Sequence, residues 1–217
     1  MGRDARLRAA RILPALLRSR LSGLRIAVDV QHLYRPWPHA KDQGATFFLP
    51  GGIHLHETAA TTLYAHSLIA WLRARGAEVL TNDPPRKILL GPYERREREA
   101  AAWGAHAYVA CHVNADGGRY ALVEAVNGTA GVELAHAIAP AVAKGLPEIS
   151  VGQVKRLSNR ERGSVCVRFF PPDRAAVIVE PFFGDTPRHQ VLFQAPRLIE
   201  VGEAIGDGVA AWWEARP

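Results

Sequence analysis

The sequence is poor in the features that define several large classes of protein. Its 217 residues include two cysteines, Cys111 and Cys166, which could form one disulfide at most. No apolar run approaches the ~20 residues that a transmembrane helix needs. Internal repeats, low-complexity tracts and linkers rich in Gly, Ser or Pro are also lacking. These absences exclude disulfide scaffolds, membrane spans and repeat arrays, and we expect both cysteines to be reduced thiols in the core.

What is present is the composition of an ordinary globular domain. Hydrophobic residues make up 48% of the chain and charged residues 22%, close to the average for folded proteins. A chain of this length buries roughly 70% of its unfolded surface, which a single core can accomplish. We therefore expect one domain rather than a disordered, collagenous or coiled-coil chain.

The formal net charge of +6 is concentrated at the N-terminus. Residues 1–25 hold seven of the 27 basic residues and one of the 21 acidic residues, Asp4, which leaves 20 of each sign for the rest of the chain. The body of the protein is thus electrically balanced, and its basic character belongs to an N-terminal arm.

We assign residues 1–24 to this cationic arm and residues 25–217 to the folded domain. The apolar run of the arm, Ile12 to Leu17, is shorter than the ~7 to 15 residues of a secretory signal core, so we expect no signal peptide. Leucines at helical spacing predict an amphipathic helix: Leu13, Leu16, Leu17, Leu21 and Leu24. Two interpretations stay open, namely attraction to an anionic envelope surface, membrane or nucleic acid, and a helix packed on the domain with solvated arginines.

From Arg25 onward, short β-branched runs alternate with longer segments of helical period. This alternation predicts an α/β fold with a mostly parallel or mixed central sheet and helices on both faces. Strands are predicted at residues 26–30, 78–80, 107–113, 120–126, 165–168 and 176–179. Helices are predicted before Gly76, before Gly145, over residues 94–103 and along the apolar stripe of residues 198–212. The long connection at residues 34–53 predicts a functional loop whose aromatic residues line the site or pack into the core.

Residues that suit a metal site stand near the ends of the predicted strands. His32 follows the first strand and His112 lies near the end of the third, at the sheet edge where open α/β folds bind ligands. Glu57 begins a predicted helix, and Glu180 closes a buried strand, where a carboxylate is costly unless it pairs, binds metal or moves protons. Two histidines and a glutamate are a common ligand set for catalytic zinc. Because these residues form no compact local motif, their spacing alone supports no more than a general metal site.

The ordered segments Arg25–His32, Glu57 with its helix to Thr81, Ala107–Asn114 and Val177–Phe182 resemble the zinc-dependent N-acetylmuramoyl-L-alanine amidases of the type-3 class. The resemblance spans residues 25 to 213. It implies a single α/β domain, one zinc ion held by His32, Glu57 and His112, and Glu180 as the catalytic carboxylate.

Two further residues are candidates for substrate binding. Asn114 lies two residues after His112, on the same face by strand alternation, and either orients substrate or a ligand or is a turn residue at the strand end. Arg96 stands where the family often has an arginine, whereas Ala101 replaces its usual asparagine and Val30-Gln31 replaces its Pro-Gly.

The resemblance implies hydrolysis of the amide between N-acetylmuramic acid and L-alanine in peptidoglycan. With no signal peptide expected, we interpret the chain as a phage-type lysis enzyme that is made in the cytoplasm and acts on the cell wall. A bacterial autolysin or cell-separation amidase, and a zinc carboxypeptidase-like amidohydrolase on another substrate, remain alternatives. A non-catalytic binder acting through the arm is a further alternative, and no specific nucleic acid partner is expected.

Overall fold

Residues 20–32, 44–82 and 91–216 are described by the computed structural model. Their strands and helices follow in chain order: β1 (Arg25–Val30), β2 (Thr46–Leu49), β3 (Ile53–His56), α1 (Glu57–Ala74), β4 (Glu78–Thr81), α2 (Tyr93–Trp103), β5 (Ala107–Cys111), β6 (Ala121–Val126), α3 (Gly131–Gly145), β7 (Gly152–Leu157), β8 (Ala175–Glu180) and α4 (Ala195–Glu214). Two 3₁₀ helices, Arg162–Cys166 and Pro187–Phe193, flank β8.

Six of the strands form one mixed sheet in the order β4-β1-β5-β8-β6-β7. The first four strands in this order are parallel to one another, and β6 pairs with β8 in the antiparallel direction while remaining parallel to β7. Strands β2 and β3 form a separate antiparallel hairpin. The parallel arrangement brings the carboxyl ends of β1, β5 and β8 to one edge of the sheet, which is where ligand sites form in such folds.

Helices cover both faces of the sheet. The larger core packs α1, α3 and α4 against one face, with Leu68, Leu134 and Val201 buried among side chains of the central strands. The smaller core places Ala100 of α2 and Phe170 against the other face. The predicted fold class, a single α/β domain with a mixed central sheet, is confirmed, and both cysteines are buried and free as expected.

One predicted strand is wrong and three short strands were not predicted. A strand is predicted at residues 165–168, but the 3₁₀ helix Arg162–Cys166 ends within this segment and a turn follows it. The hydroxyl of Ser164 donates to the carbonyls of Asn159 and Glu161, and this local bonding favours a turn over strand pairing. The missed strands are β2, β3 and β7, which are short or largely exposed and lack a buried apolar run.

The end of the predicted arm packs on the domain. Leu21 and Leu24 are fully buried, and the backbone N–H of Leu21 donates to the carbonyl of Arg75 at 2.9 Å. Arg20 forms an ion pair with Glu214 of α4. The rest of the arm lies outside the described residues. None of the helices in the described part of the chain combines the length and apolar character of a membrane span.

A buried carboxylate fixes the segment that follows the first 3₁₀ helix. Glu97 of α2 is fully buried, and its Oε2 accepts hydrogen bonds from the backbone N–H groups of Phe169 (2.6 Å) and Phe170 (2.8 Å). Burial raises the pKa of Glu97 to about 8, against the opposing effect of these two donors. The neutral acid is therefore the form that the folded protein favours up to this pH.

The titration of Glu97 predicts a pH dependence of stability. In the folded protein its pKa is raised from 4.5 to about 8, so the folded state holds more protons than the unfolded state between these pH values. The stabilisation that protonated Glu97 contributes to the free energy of unfolding is present below pH 4.5 and is lost as pH rises toward 8. Glu97→Gln should flatten this part of the profile, as measured by urea unfolding at several pH values. An identical slope in both proteins would contradict the prediction.

Candidate active site

His32 reaches the site from the end of β1. It lies two residues beyond the last residue of the strand and has a backbone φ of 61°, in the left-handed region that residues with a Cβ rarely adopt. Its side chain is 11% exposed. The sharp turn after β1 therefore places the imidazole at the carboxyl edge of the sheet.

Glu57 is the first residue of α1, as predicted, and its carboxylate is held by four partners. Oε2 accepts from the N–H of Ala45 (3.0 Å) and Oε1 from the N–H of Val113 (3.0 Å). Oε1 lies 2.9 Å from Nδ1 of His112, and Oε2 lies 3.5 Å from Nε2 of His32. Burial raises the pKa of Glu57, but the two histidines and the Ala45 amide outweigh burial and lower it to about 2. The carboxylate is therefore ionised and fixed in place.

His112 follows β5 and is anchored through its backbone on both sides. Its N–H donates to the carbonyl of Val179 in β8 (2.9 Å), and its carbonyl accepts from the hydroxyl of the buried Tyr64 in α1 (2.7 Å). Its ring packs edge-on against His32, with ring centroids 5.1 Å apart. The tyrosine links the helix that carries Glu57 to the strand end that carries His112.

The donor atoms of these three residues fit a metal ion. One ligand atom each from His32, Glu57 and His112 lie within 4.8 Å of one another, and this is the cluster found among the described residues. Ligand atoms in tetrahedral zinc sites stand about 2.0–2.2 Å from the ion and hence about 3.4 Å apart. The 3.5 Å from His32 Nε2 to Glu57 Oε2 matches that spacing. Nδ1 of His112 lies 2.9 Å from Oε1 of the same carboxylate, so a nitrogen atom from each histidine faces Glu57.

Glu180 faces the same site from the end of β8. The side-chain amide of Asn114 donates to its Oε2, and the backbone of Asn114 is itself fixed by a bridge to Phe183. Asn114 lies beyond the end of β5, and its side chain holds the carboxylate of Glu180. Burial raises the pKa of Glu180 to about 7; the charges of Glu124 and Glu57 add to the rise, and those of His112 and Lys155 oppose it.

A cavity of about 410 Å³ connects His32 and His112 with Glu180. Among the residues that line it are His32, His112, Glu180, Glu124 and Arg162. Glu124 projects from the neighbouring strand β6 and forms an ion pair with Lys155 of β7 at 2.9 Å. Two acidic residues, Glu124 and Glu180, therefore line the cavity beside the histidines, and the 3₁₀ helix Arg162–Cys166 borders it.

The structure separates one expected substrate residue from this cavity. Arg96 is 1% exposed and its NH1 binds the buried carboxylate of Asp29 at 3.1 Å, so its position is in the interior of the fold. Phe47 is buried in the core, which is one of the two roles expected for the aromatic residues of this loop, while its neighbour Phe48 is 68% exposed.

Several residues of the site were missed in the sequence. Glu124 interrupts a buried apolar strand, which is the same signal that singled out Glu180, and it could have been found in this way. Tyr64 and Cys166 carried no such signal, because an aromatic residue on an apolar helix face and a lone thiol are both ordinary core residues.

No protein-family model matches the sequence, and no curated protein matches it. Solved structures nevertheless share its fold. The N-acetylmuramoyl-L-alanine amidase AmiC2 of Nostoc punctiforme superposes with a TM-score of 0.68 at 19% identity, covering 89% of this chain and 99% of that chain. The catalytic domain of the amidase CwlV from Bacillus (Paenibacillus) polymyxa gives 0.63 at 18% identity, with coverage of 89% and 99%.

A third amidase, Ami1 from Mycobacterium smegmatis, gives a TM-score of 0.62 at 16% identity and covers 90% of this chain and 99% of that chain. The chain thus has the α/β fold of N-acetylmuramoyl-L-alanine amidases over most of its length. At this level of identity the likeness establishes the architecture, and the chemistry has to be argued from the residues of the site.

The close approach of Gly44 to Glu57 yields a test of the metal centre. A Cβ at Gly44 would lie 2.3 Å from Oε2 of Glu57, so Gly44→Ala must displace the carboxylate. We expect its zinc affinity to fall about 10- to 100-fold, the range seen when the support of a ligand is lost, as measured by competition with a chelator.

Gly51→Ala is the matched control for Gly44→Ala. Gly51 has a φ of +82°, close to the +76° of Gly44, but a Cβ there would meet nothing within 4 Å. Both variants therefore introduce the same kind of backbone strain, and only one touches the ligand. Equal zinc affinities in the two variants would contradict the assignment.

Proposed function

We propose that this protein is a zinc-dependent N-acetylmuramoyl-L-alanine amidase that hydrolyses the bond between N-acetylmuramic acid and L-alanine in peptidoglycan. The observation that carries the proposal is the convergence of His32, Glu57 and His112 on one point beside the half-buried carboxylate of Glu180. The shared fold with three amidases supports it.

The ligand set suits catalytic zinc, which commonly has three protein ligands and one open position. Zinc held by these residues supplies Lewis-acid chemistry, lowering the pKa of water and polarising a carbonyl. Glu57, ionised and bound by two backbone N–H groups, keeps both histidines close to its two oxygens. The site is therefore organised around Glu57.

Glu180 is the general base and then the general acid of this proposal. Its carboxylate accepts a proton from the attacking water and returns it to the nitrogen of the leaving L-alanine. The raised pKa, about 7, keeps the group close to balance between its two forms at neutral pH, which suits both proton transfers. The hydrogen bond from Asn114 fixes the orientation of Oε2 and leaves Oε1 for the water.

The place of action follows from the substrate. We propose that the protein acts on the cell wall as a phage-type lysis enzyme. The catalytic domain of the CD27L endolysin, which targets Clostridia difficile, supports this form of the proposal with a TM-score of 0.50 and 16% identity. A role of the arm on an anionic envelope surface remains a prediction, since residues 1–19 lie outside the described residues.

Glu180→Gln separates metal binding from turnover. We expect this variant to retain about one zinc ion per chain, because Glu180 is not a ligand in this proposal, and to lose about 10²- to 10⁴-fold in activity. Metal content is measured by mass spectrometry, and activity by the release of new stem-peptide amino termini from peptidoglycan without new reducing sugars. Chelation of the unmodified protein should abolish activity, and zinc should restore it.

Glu161→Gln is the control for this experiment. Glu161 is an acidic residue directly before the 3₁₀ helix Arg162–Cys166, and it does not line the cavity. It should retain both zinc and activity. Hydrolysis at the parental rate by Glu180→Gln would refute the catalytic role, whereas release of reducing sugars by the unmodified protein would indicate a glycosidase.

The charge of Glu124 yields a prediction for the pH dependence of activity. Its negative charge raises the pKa of Glu180, and the base is active only when deprotonated, so activity falls as pH drops through this pKa. Glu124→Gln removes the charge and should move the acidic limb of the kcat/KM profile to lower pH by about half a unit to one unit. Glu133→Gln, an exposed change on α3, should leave the limb unmoved. A limb that stays in place or moves upward in Glu124→Gln would contradict this electrostatic assignment.

A further inference from the structure

Strand β1, which ends two residues before His32, extends beyond its neighbour β4. In the pairing of β1 with β4, the last partners are Val28 and Thr81, so Asp29 and Val30 continue past the end of β4. On the other side, Val30 still pairs with Cys111 of β5. The N–H and carbonyl of Val30 that face β4 would therefore lack strand partners in a fully buried environment, which is costly.

The side chain of Asn82, the residue after β4, supplies the missing partners. Its Oδ1 accepts from the N–H of Val30 at 2.8 Å, and its Nδ2 donates to the carbonyl of Val30 at 2.9 Å. Nδ2 also donates to Oδ1 of Asp29 at 2.8 Å. One fully buried amide thus takes the place of a strand residue and extends the ladder by one step.

Asp29 connects the Asn82 amide to side chains of β5 and α2. Besides the bond from Asn82, its carboxylate accepts hydrogen bonds from Gln31, Tyr108 and Arg96, the last at 3.1 and 3.3 Å. Asp29, Gln31 and Asn82 are fully buried, and Arg96 is 1% exposed. The charge of Asp29 is therefore paired and fully surrounded by donors, so the network is rigid rather than adaptable.

His32 follows this network directly. The metal ligand is two residues after Val30 and adopts a left-handed φ of 61°, a conformation that a residue with a Cβ keeps only where its surroundings impose it. The hydrogen bonds that fix Val30 and Gln31 lie directly before this turn in the sequence.

We propose that Asn82 is a positioning residue of the metal centre, which pins the end of β1 through Val30 and Asp29 and so holds His32 in the orientation that ligates zinc. This role rests on the proposed function. Asn82 would thus contribute to metal binding although its side chain forms hydrogen bonds with β1 and not with a metal ligand.

Zinc affinity is the readout that tests this role. Asn82→Ala removes all three hydrogen bonds, and we expect its zinc Kd, measured by chelator competition on the folded full-length chain, to rise about 10- to 100-fold. The visible absorption of bound Co²⁺ should also change, because it reports the geometry of the ligands. Asn82→Ser is the milder second variant should Asn82→Ala not fold, and it should weaken zinc binding at least fivefold.

Val209→Ala is the control for a general loss of stability. Val209 is fully buried in the core on α4, and its truncation should lower the thermal unfolding temperature of the metal-free chain while leaving the zinc Kd within twofold. A zinc Kd within twofold of the unmodified chain in a folded Asn82 variant would overturn the proposal, as would an equal loss in Val209→Ala. If the unmodified chain binds no zinc, the proposed function fails, and this role of Asn82 fails with it.

Discussion

The site depends on one ionised carboxylate at the first turn of a helix. Glu57 accepts hydrogen bonds from two backbone N–H groups and lies against both histidines, so it joins the start of α1 to the ends of β1 and β5. A buried negative charge is stable only with such partners, and here they also supply the nitrogen atoms that a metal needs. Structural and chemical requirements are therefore met by the same contacts.

A second carboxylate of the site, Glu180, has the opposite electrostatic character. Glu57 has a pKa lowered to about 2, whereas burial and neighbouring acids raise the pKa of Glu180 to about 7. Two similar side chains are thereby divided into a permanent anion and a group that exchanges protons near neutral pH. The difference arises from partners, because Glu57 faces histidines and amides while Glu180 shares its surroundings with Glu124.

The predictable parts of the fold are those with a strong local pattern. The buried runs of β1, β5 and β8, the helix that begins at Glu57, and the helix ends near Gly76 and Gly145 follow from periodicity and turn residues. The exposed strand β7 and the hairpin β2–β3 have no such pattern. The β-branched residues Val165 and Val167 favour a strand at residues 165–168, but Ser164 and its neighbours form a 3₁₀ helix.

The sequence by itself determined the fold class and the identity of four candidate site residues, His32, Glu57, His112 and Glu180, because each stands at the end of a strand or the start of a helix. Only the tertiary structure decided that Arg96 is an interior partner of Asp29, that Asn114 orients Glu180, and that Asn82 completes the pairing of β1. These roles depend on contacts between residues 52 to 67 positions apart. Such contacts are created by sheet order and helix packing, and no local pattern in the chain encodes them.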